Sequence, residues 1–200
     1  MSKRVAVLLS GGVDSIALCN SAMPTIAITI DYGQVCAKSE IMASQTICEA
    51  LSIQHIVKRV DFNELGSGDL SGKPPIDIAP ESEWWPFRNQ MLITVAAMAL
   101  VGHGVTEIQI GTVSSDSFHR DGTRTFVDAI SQLLSLQEGG ICVTAPALDM
   151  TSAELVRNSQ IQKSLLAWAH SCHTSNFACG RCRGCFKHRA VFEELGYGLY

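Results

Sequence analysis

Five short apolar runs punctuate the chain: Val5–Leu9, Thr25–Ile30, Ile56–Phe62, Glu107–Gly111 and Ile141–Ala145. Between and after them lie segments with helical spacing. One begins at Ile16-Ala17-Leu18-Cys19; Lys38–Leu51 places Ile41, Ile47, Cys48 and Leu51 on one side; Arg88–Val101 is strongly apolar; Thr123–Gln137 and a long final segment, Ser152–Ala169, complete the set. Strands that alternate with helices predict an α/β fold, a doubly wound parallel sheet of five strands covered on both faces. Ligands of such sheets sit at the carboxyl ends of the strands near the switch point, which would bring together the turns after Leu9, Ile30 and Ile110. Asn63–Ser82 breaks the pattern, being too polar and too rich in Gly, Pro and Ser for a regular element. A long loop in a compact domain is a candidate functional lid.

A length of 200 residues predicts one domain over 1–200, and 46% hydrophobic against 17% charged residues excludes a disordered chain. The same composition allows an apolar self-association surface. A net charge of −4 gives no global signature of nucleic-acid binding. The longest apolar stretch, Met91–Gly102, falls short of the roughly 18 residues of a membrane span. Met1-Ser2-Lys3-Arg4 leads directly into the first strand, so no removable leader and a cytoplasmic location are expected. Eight cysteines are then expected as thiols or metal ligands rather than disulfides.

Candidate chemistry starts where the first strand ends. Ser10-Gly11-Gly12-Val13-Asp14-Ser15 joins that strand to a helix start. Adjacent glycines let backbone approach a phosphate, and the helix aims its free N–H groups and positive dipole end at the anion. Ser10 and Ser15 add hydroxyl donors. Asp14 would repel a phosphate unless a divalent cation lay between them, and magnesium is commonly held by a carboxylate and phosphate oxygens. A Mg-nucleotide is therefore expected. The hexapeptide is neither a Walker A loop nor a dinucleotide turn; it resembles the PP-loop of the N-type ATP pyrophosphatases, which cleave ATP to AMP and pyrophosphate. The plain alternative is a strand-to-helix turn capped by Ser and Asp.

Cys172, Cys179, Cys182 and Cys185 lie within fourteen residues and suit a tetrahedral structural zinc, with the metal-binding tail spanning 171–189. An iron–sulfur cluster competes with zinc at this spacing. Arg181, Arg183, Lys187 and Arg189 make the tail basic, which could attract a nucleic acid or an acidic partner, or simply offset four thiolates. Cys19, Cys36, Cys48 and Cys142 read as small core residues, and His55 and His103 as structural histidines.

Taken jointly, Ser10 to Ser15, Asp31-Tyr32-Gly33-Gln34 with Glu40, Pro86 with Arg88-Asn89, Gly111, Asp121 with Phe126, and Ser171-Cys172 with Cys179-Gly180-x-Cys182-x-x-Cys185 and Arg189 resemble the QueC family of 7-cyano-7-deazaguanine synthases. The resemblance covers Val5 to Gly196. It implies an adenine-nucleotide α-hydrolase fold and a homodimer that binds zinc, ATP and magnesium and adenylates the carboxylate of 7-carboxy-7-deazaguanine. Ammonia would then displace AMP to give an amide, and a second ATP would convert that amide to the nitrile preQ0 for queuosine biosynthesis. On this reading Leu9, Ser10, Gly11, Gly12, Val13, Asp14, Ser15, Ile30, Tyr32 and Gly111 hold ATP and the leaving pyrophosphate. Asp14 holds magnesium, and Arg88, Asn89, His119, Arg120 and Asp121 line the substrate pocket, with Asp14, Ser10, Ser15 and Arg88 catalytic.

Four positions depart from the family pattern: Val35-Cys36 stands for Arg-His, Phe87 for a glycine, His119-Arg120 for Tyr-Pro, and Ser152 for a lysine. These focus attention on the second, nitrile-forming step and on the acceptor. QueC-like proteins also resemble components of antiphage defence operons, including CBASS, so a partner protein's amine is the alternative acceptor to ammonia. A PP-loop tRNA thiolase with an iron–sulfur cluster and a catalytically silent zinc module are the remaining alternatives.

Overall fold

Along the first strand, β1 (Val5–Leu8), side chains alternate between two buried layers: Ala6 joins the core cluster on one face of the sheet and Val7 the cluster on the other. The computed structural model describes residues 3–198 and shows why β1 is apolar throughout. β2 (Ile26–Asp31), β3 (Gln54–Arg59), β4 (Glu107–Ile110) and β5 (Cys142–Thr144) complete a five-stranded sheet in the order β3-β2-β1-β4-β5. Every pairing is parallel. The chain winds outward through β2 and β3, then crosses back beside β1 to lay down β4 and β5. Connections therefore diverge between β1 and β4, opening a crevice at their carboxyl ends.

Helix α1 (Val13–Ala22) and helix α2 (Ala37–Leu51) cover one face, contributing Ile16, Leu18, Ala43 and Ile47 to one core cluster. Helix α3 (Arg88–Leu100) and helix α4 (Arg124–Ser135) cover the other with Ile93, Ala96, Leu100, Val127, Ile130 and Leu134. Between β3 and α3 the chain is irregular apart from two single 3-10 turns at Asn63–Leu65 and Asp69–Ser71. The doubly wound expectation holds.

Three elements differ from the sequence reading. The expected continuous helix Ser152–Ala169 is two: α5 (Ser152–Ser159) and a short α6 (Lys163–Leu166), broken at Gln160, whose φ of 54° is left-handed. Ser159 turns its hydroxyl back to the Val156 carbonyl (2.7 Å), Asn20 Nδ2 donates to the Ser159 carbonyl (2.8 Å), and Ile161 is buried in the core. Tertiary contacts thus end the helix without a Gly or Pro. Within the cysteine-rich tail lies a helix that the pattern did not predict, α7 (Arg183–Glu194), capped by the sulfur of Cys182, which accepts from the Cys185 N–H. Finally, β3 starts at Gln54 rather than Ile56, as an edge strand of mostly exposed residues whose apolar periodicity is weak. Among the described residues no helix is long and apolar enough to cross a membrane.

Candidate active site

The phosphate-type loop leaves β1 at Leu9, whose carbonyl is held by the Thr29 hydroxyl (2.7 Å). Gly11 adopts φ 75° with its back to α2, where a Cβ would lie 2.5 Å from the Glu40 carbonyl oxygen. Gly12 is the N-cap of α1, so the helix opens with bare backbone N–H groups and no competing side chain. Ser10 Oγ and Ser15 Oγ are 3.0 Å apart, and Ser15 Oγ also donates to the Gly12 carbonyl (3.0 Å), fixing both hydroxyls beside the helix start. Gly111, just past β4, is packed so closely that a Cβ would sit 3.0 Å from the Ser15 backbone.

This loop forms the floor of a cleft of about 660 Å³. Leu9, Ser10, Gly12, Val13, Asp14, Ser15, Ile30, Tyr32 and Gly111 line it, as do Arg88, Asn89, His119 and Asp121. Two expected residues do not. Gly11 lies beneath the loop, its carbonyl accepting from the His170 N–H (2.8 Å). Arg120 is exposed at the start of a 3-10 turn and is absent from the wall, where His119 and Asp121 stand on either side of it.

Arg88 opens α3 after Phe87, a non-glycine residue in the left-handed region (φ 54°). Burial works against the Arg88 charge, but Tyr32, Asp121, Glu40 and Glu83 outweigh it and raise its pKa above the usual arginine value. Tyr32 packs edge-on to Trp85, with ring centroids 4.9 Å apart. Glu40 accepts from Gln34 Nε2 (2.6 Å) and from the Cys36 thiol (3.3 Å), and burial raises its carboxyl above the ordinary range despite those bonds. Asn89 Nδ2 reaches the Asp121 carbonyl (3.4 Å), tying the start of α3 to the turn before α4.

Several cleft residues carried no motif in the sequence. Glu83, buried at the end of the long loop, lies 3.5 Å from His119 Nε2 and 3.4 Å from Arg183 Nη1, and Arg183 also pairs with Glu81 (3.0 Å). His173 is pushed down to about 4, by burial first and then by the Arg88 charge. Lys187 Nζ bridges Asp14 Oδ2 (2.8 Å) and Asp116 Oδ1 (3.0 Å). Arg183 and Lys187 therefore spend their charge on carboxylates of the cleft rather than on the thiolates. Only the spacing of α7, three to four residues per turn, could have placed them on its inner side, and that helix was not evident.

Cys172, Cys179, Cys182 and Cys185 converge with all four sulfurs within 4.8 Å of one another. Cys179 and Cys185 sulfurs are 3.9 Å apart, as are those of Cys172 and Cys182. A tetrahedral zinc with Zn–S of about 2.3 Å has sulfur–sulfur edges of about 3.8 Å, so the four residues fit that ion with no position left open. Burial raises Cys182 and pushes Cys185 up to about 12, while hydrogen bonds lower Cys172 and bring Cys179 down to about 5; a bound dication would let the raised pair release their protons as well. Cys19, Cys36 and Cys48 are buried, and His55 bonds the Thr29 hydroxyl (2.8 Å).

An open parallel sheet whose first strand ends in a Ser-Gly-Gly-Val-Asp-Ser loop at a helix N-terminus, with a four-thiolate centre appended, defines a nucleotide-binding α/β protein of the PP-loop type. Its overall likeness is to the structure of NMN synthetase from Francisella tularensis, with a TM-score of 0.53, 13% identity, and coverage of 100% of this chain and 79% of that one, a likeness of fold. The family model described as queuosine biosynthesis protein QueC matches residues 4–196, and the chain belongs to that family. Similar proteins named 7-cyano-7-deazaguanine synthase include those of Methanosarcina mazei (24% identical, over 96% of this chain and 95% of that one) and Methanocaldococcus jannaschii (28%, over 96% of each). That of Campylobacter fetus is 28% identical over 98% of this chain and 97% of its own length.

Proposed function

We propose that this QueC-family chain is an ATP-dependent carbon–nitrogen ligase that adenylates the carboxylate of 7-carboxy-7-deazaguanine and passes the acyl group to an amine. One observation carries the reading: the phosphate loop and the Arg88–Asp121 pair face the same cleft, so a nucleotide and a carboxylated base would meet there. The substrate carboxylate attacks the α-phosphorus of ATP, the bond to the β-phosphate oxygen breaks, and pyrophosphate leaves along Ser10, Gly12 and Ser15. Charge growing on it is met by the α1 N-terminus. Asp14 is the carboxylate suited to magnesium, which would neutralise the departing phosphates. Arg88 offers a bidentate fork to a carboxylate or phosphate, and Asp121 accepts from the N1–H and amino group of a guanine-like ring.

The amine then attacks the acyl carbon and AMP departs. With ammonia the product is the amide, at one AMP per product; Ser152, which lines the cleft, stands where the family carries a lysine, and without that side chain the second activation, and with it nitrile formation, is slow. The second reading keeps the activation and takes the amine from a partner protein, as in an antiphage defence system. The chain acts as a homodimer. Support for association comes from α3 and α4, which pack side by side and expose Met98 and Leu133, with Leu136 exposed just past the end of α4.

The deciding experiment incubates the protein with ATP, Mg²⁺ and 7-carboxy-7-deazaguanine, with ammonium or with candidate partner proteins, and reads product masses and AMP. Amide with about one AMP, abolished by Asp14→Asn, supports the first reading. A deazaguanine-sized adduct on a protein supports the second. Complete conversion to preQ0 with two AMP per turnover refutes the one-step limit, and absence of AMP with either acceptor refutes the function.

A further inference from the structure

Lys187 occupies an unusual place. It lies two residues beyond Cys185 on α7, yet its ammonium sits between two carboxylates at the mouth of the phosphate loop, Asp14 at 2.8 Å and Asp116 at 3.0 Å. Neither carboxylate can follow it. Asp14 belongs to the first turn of α1, and the other oxygen of Asp116 is occupied by the Val113 N–H (3.1 Å). The lysine can move: its side chain is 37% exposed on a four-carbon stem. Asp14 Oδ1, meanwhile, is buried and has no hydrogen-bond partner among the described residues. A carboxylate that is satisfied on one oxygen by a mobile cation, with the other oxygen unpaired, is arranged to exchange that cation.

Exchange follows from charge. A divalent ion on Asp14 Oδ1 and an ammonium on Oδ2 of the same carboxylate repel across it, so each weakens the other's hold. The other cations of the wall are committed: Arg183 to Glu81 and Glu83, and Arg88 among Tyr32, Asp121, Glu40 and Glu83. Lys187 alone of these is paired with the residue a nucleotide-bound metal would claim. An ammonium released from Asp14 keeps its bond to Asp116, and the next anions within its reach would be the phosphates over Ser10, Gly12 and Ser15, which line the same cleft.

We propose that Lys187 and the divalent cation compete for Asp14, and that Lys187, once displaced, becomes a ligand of the ATP polyphosphate. The second half rests on the nucleotide-binding reading above; the first does not. The metal-binding tail thereby contributes a substrate-contacting residue from α7.

The test titrates zinc-loaded protein with Mn²⁺ alone, followed by its electron spin resonance signal, and separately with MgATP by calorimetry, for the parent, Lys187→Met and Lys187→Arg. Losing the competing ion pair should tighten Mn²⁺ binding of Lys187→Met about fivefold, while losing a charge-assisted phosphate contact should weaken MgATP about tenfold or more. Lys187→Arg, which keeps the charge, should stay near the parent in both. A helix-supporting role would weaken both ligands or neither. Mn²⁺ affinity unchanged or reduced in Lys187→Met overturns the competition, and unchanged MgATP affinity overturns the phosphate contact. If the parent binds Mn²⁺ competitively but no ATP, the functional reading falls and the competition stands. Zinc content and melting temperature establish that each variant is folded, and should Lys187→Met not fold, Lys187→Gln replaces it: it also removes the competing charge while keeping both carboxylates, and Mn²⁺ binding must tighten or the competition is wrong.

Discussion

Gly11 and Gly12 are adjacent in the loop but do different work, and one pair of substitutions separates them. At Gly11, φ is 75° and an added Cβ would stand 2.5 Å from the Glu40 carbonyl oxygen, 3.1 Å from its Cα and 3.2 Å from the Ala43 Cβ. Those are backbone and packed atoms of α2, which cannot swing aside. A left-handed alanine costs about 1–2 kcal/mol, and forcing a methyl group into a filled interior adds about 1–3 kcal/mol. Gly11→Ala should therefore lose about 2–5 kcal/mol of stability. At Gly12 the backbone is extended (φ −79°, ψ 163°) and the nearest atoms to a Cβ are Ser10 Oγ at 3.6 Å and the His170 carbonyl at 3.8 Å. Gly12→Ala should cost under about 1 kcal/mol in the fold, yet put a methyl group where phosphate oxygens must approach the helix N-terminus. Urea denaturation measures the first effect and ATP titration the second. The reasoning fails if Gly11→Ala lies within about 1 kcal/mol of the parent, or if the two variants lose equal stability.

Phe87→Gly should stabilise the protein by about 1 kcal/mol, because the aromatic side chain is 75% exposed and its φ of 54° suits glycine; a lower melting temperature would contradict this. The half-buried, desolvated Glu40 carboxyl keeps its proton to higher pH in the folded state than in the unfolded chain. Folding stability from this group therefore falls as pH rises from about 4.5 through the raised value. Glu40→Gln, which cannot titrate, should gain on the parent across that window and hold a constant lead above it; thermal melts against pH would show a flat difference if the carboxyl were not buried. Cys182→Ser should lose metal, α7 helicity and stability together, since Cys182 belongs to the four-thiol cluster that fits zinc and is the α7 cap at once. Metal analysis and circular dichroism measure this, and iron with visible absorbance would replace the zinc assignment.

The strands, the phosphate loop and the four thiols were legible because each rests on local chemistry: apolar periodicity, glycines at a strand–helix junction, and ligand spacing. What stayed hidden depends on distant partners. Nothing near Gln160 announces a break, since Asn20 and the burial of Ile161 impose it. The α7 start was obscured because its cap is a cysteine sulfur rather than Ser, Thr or Asp. Glu83 and Lys187 sit in a polar loop and a basic tail, where charged residues normally face water; only the fold turns them inward. His119 and Asp121 line the cleft while the intervening Arg120 points to solvent, a distinction that spacing in a 3-10 turn does not reveal.

The bond from the His170 N–H to the Gly11 carbonyl joins the last part of the chain to the first. Sheet and phosphate loop come first in chain order, whereas His173, Arg183 and Lys187 reach the cleft only when the tail docks, through Val191 and Phe192 in the core and through the four-thiol cluster. Closure of the cleft is thus among the most non-local steps of folding and the slowest to nucleate. Zinc on the four thiols would then act as a licence issued at the end of maturation. Protein made under zinc limitation should accumulate with an intact sheet and an unfinished catalytic cleft, and late addition of the metal should awaken it without new synthesis.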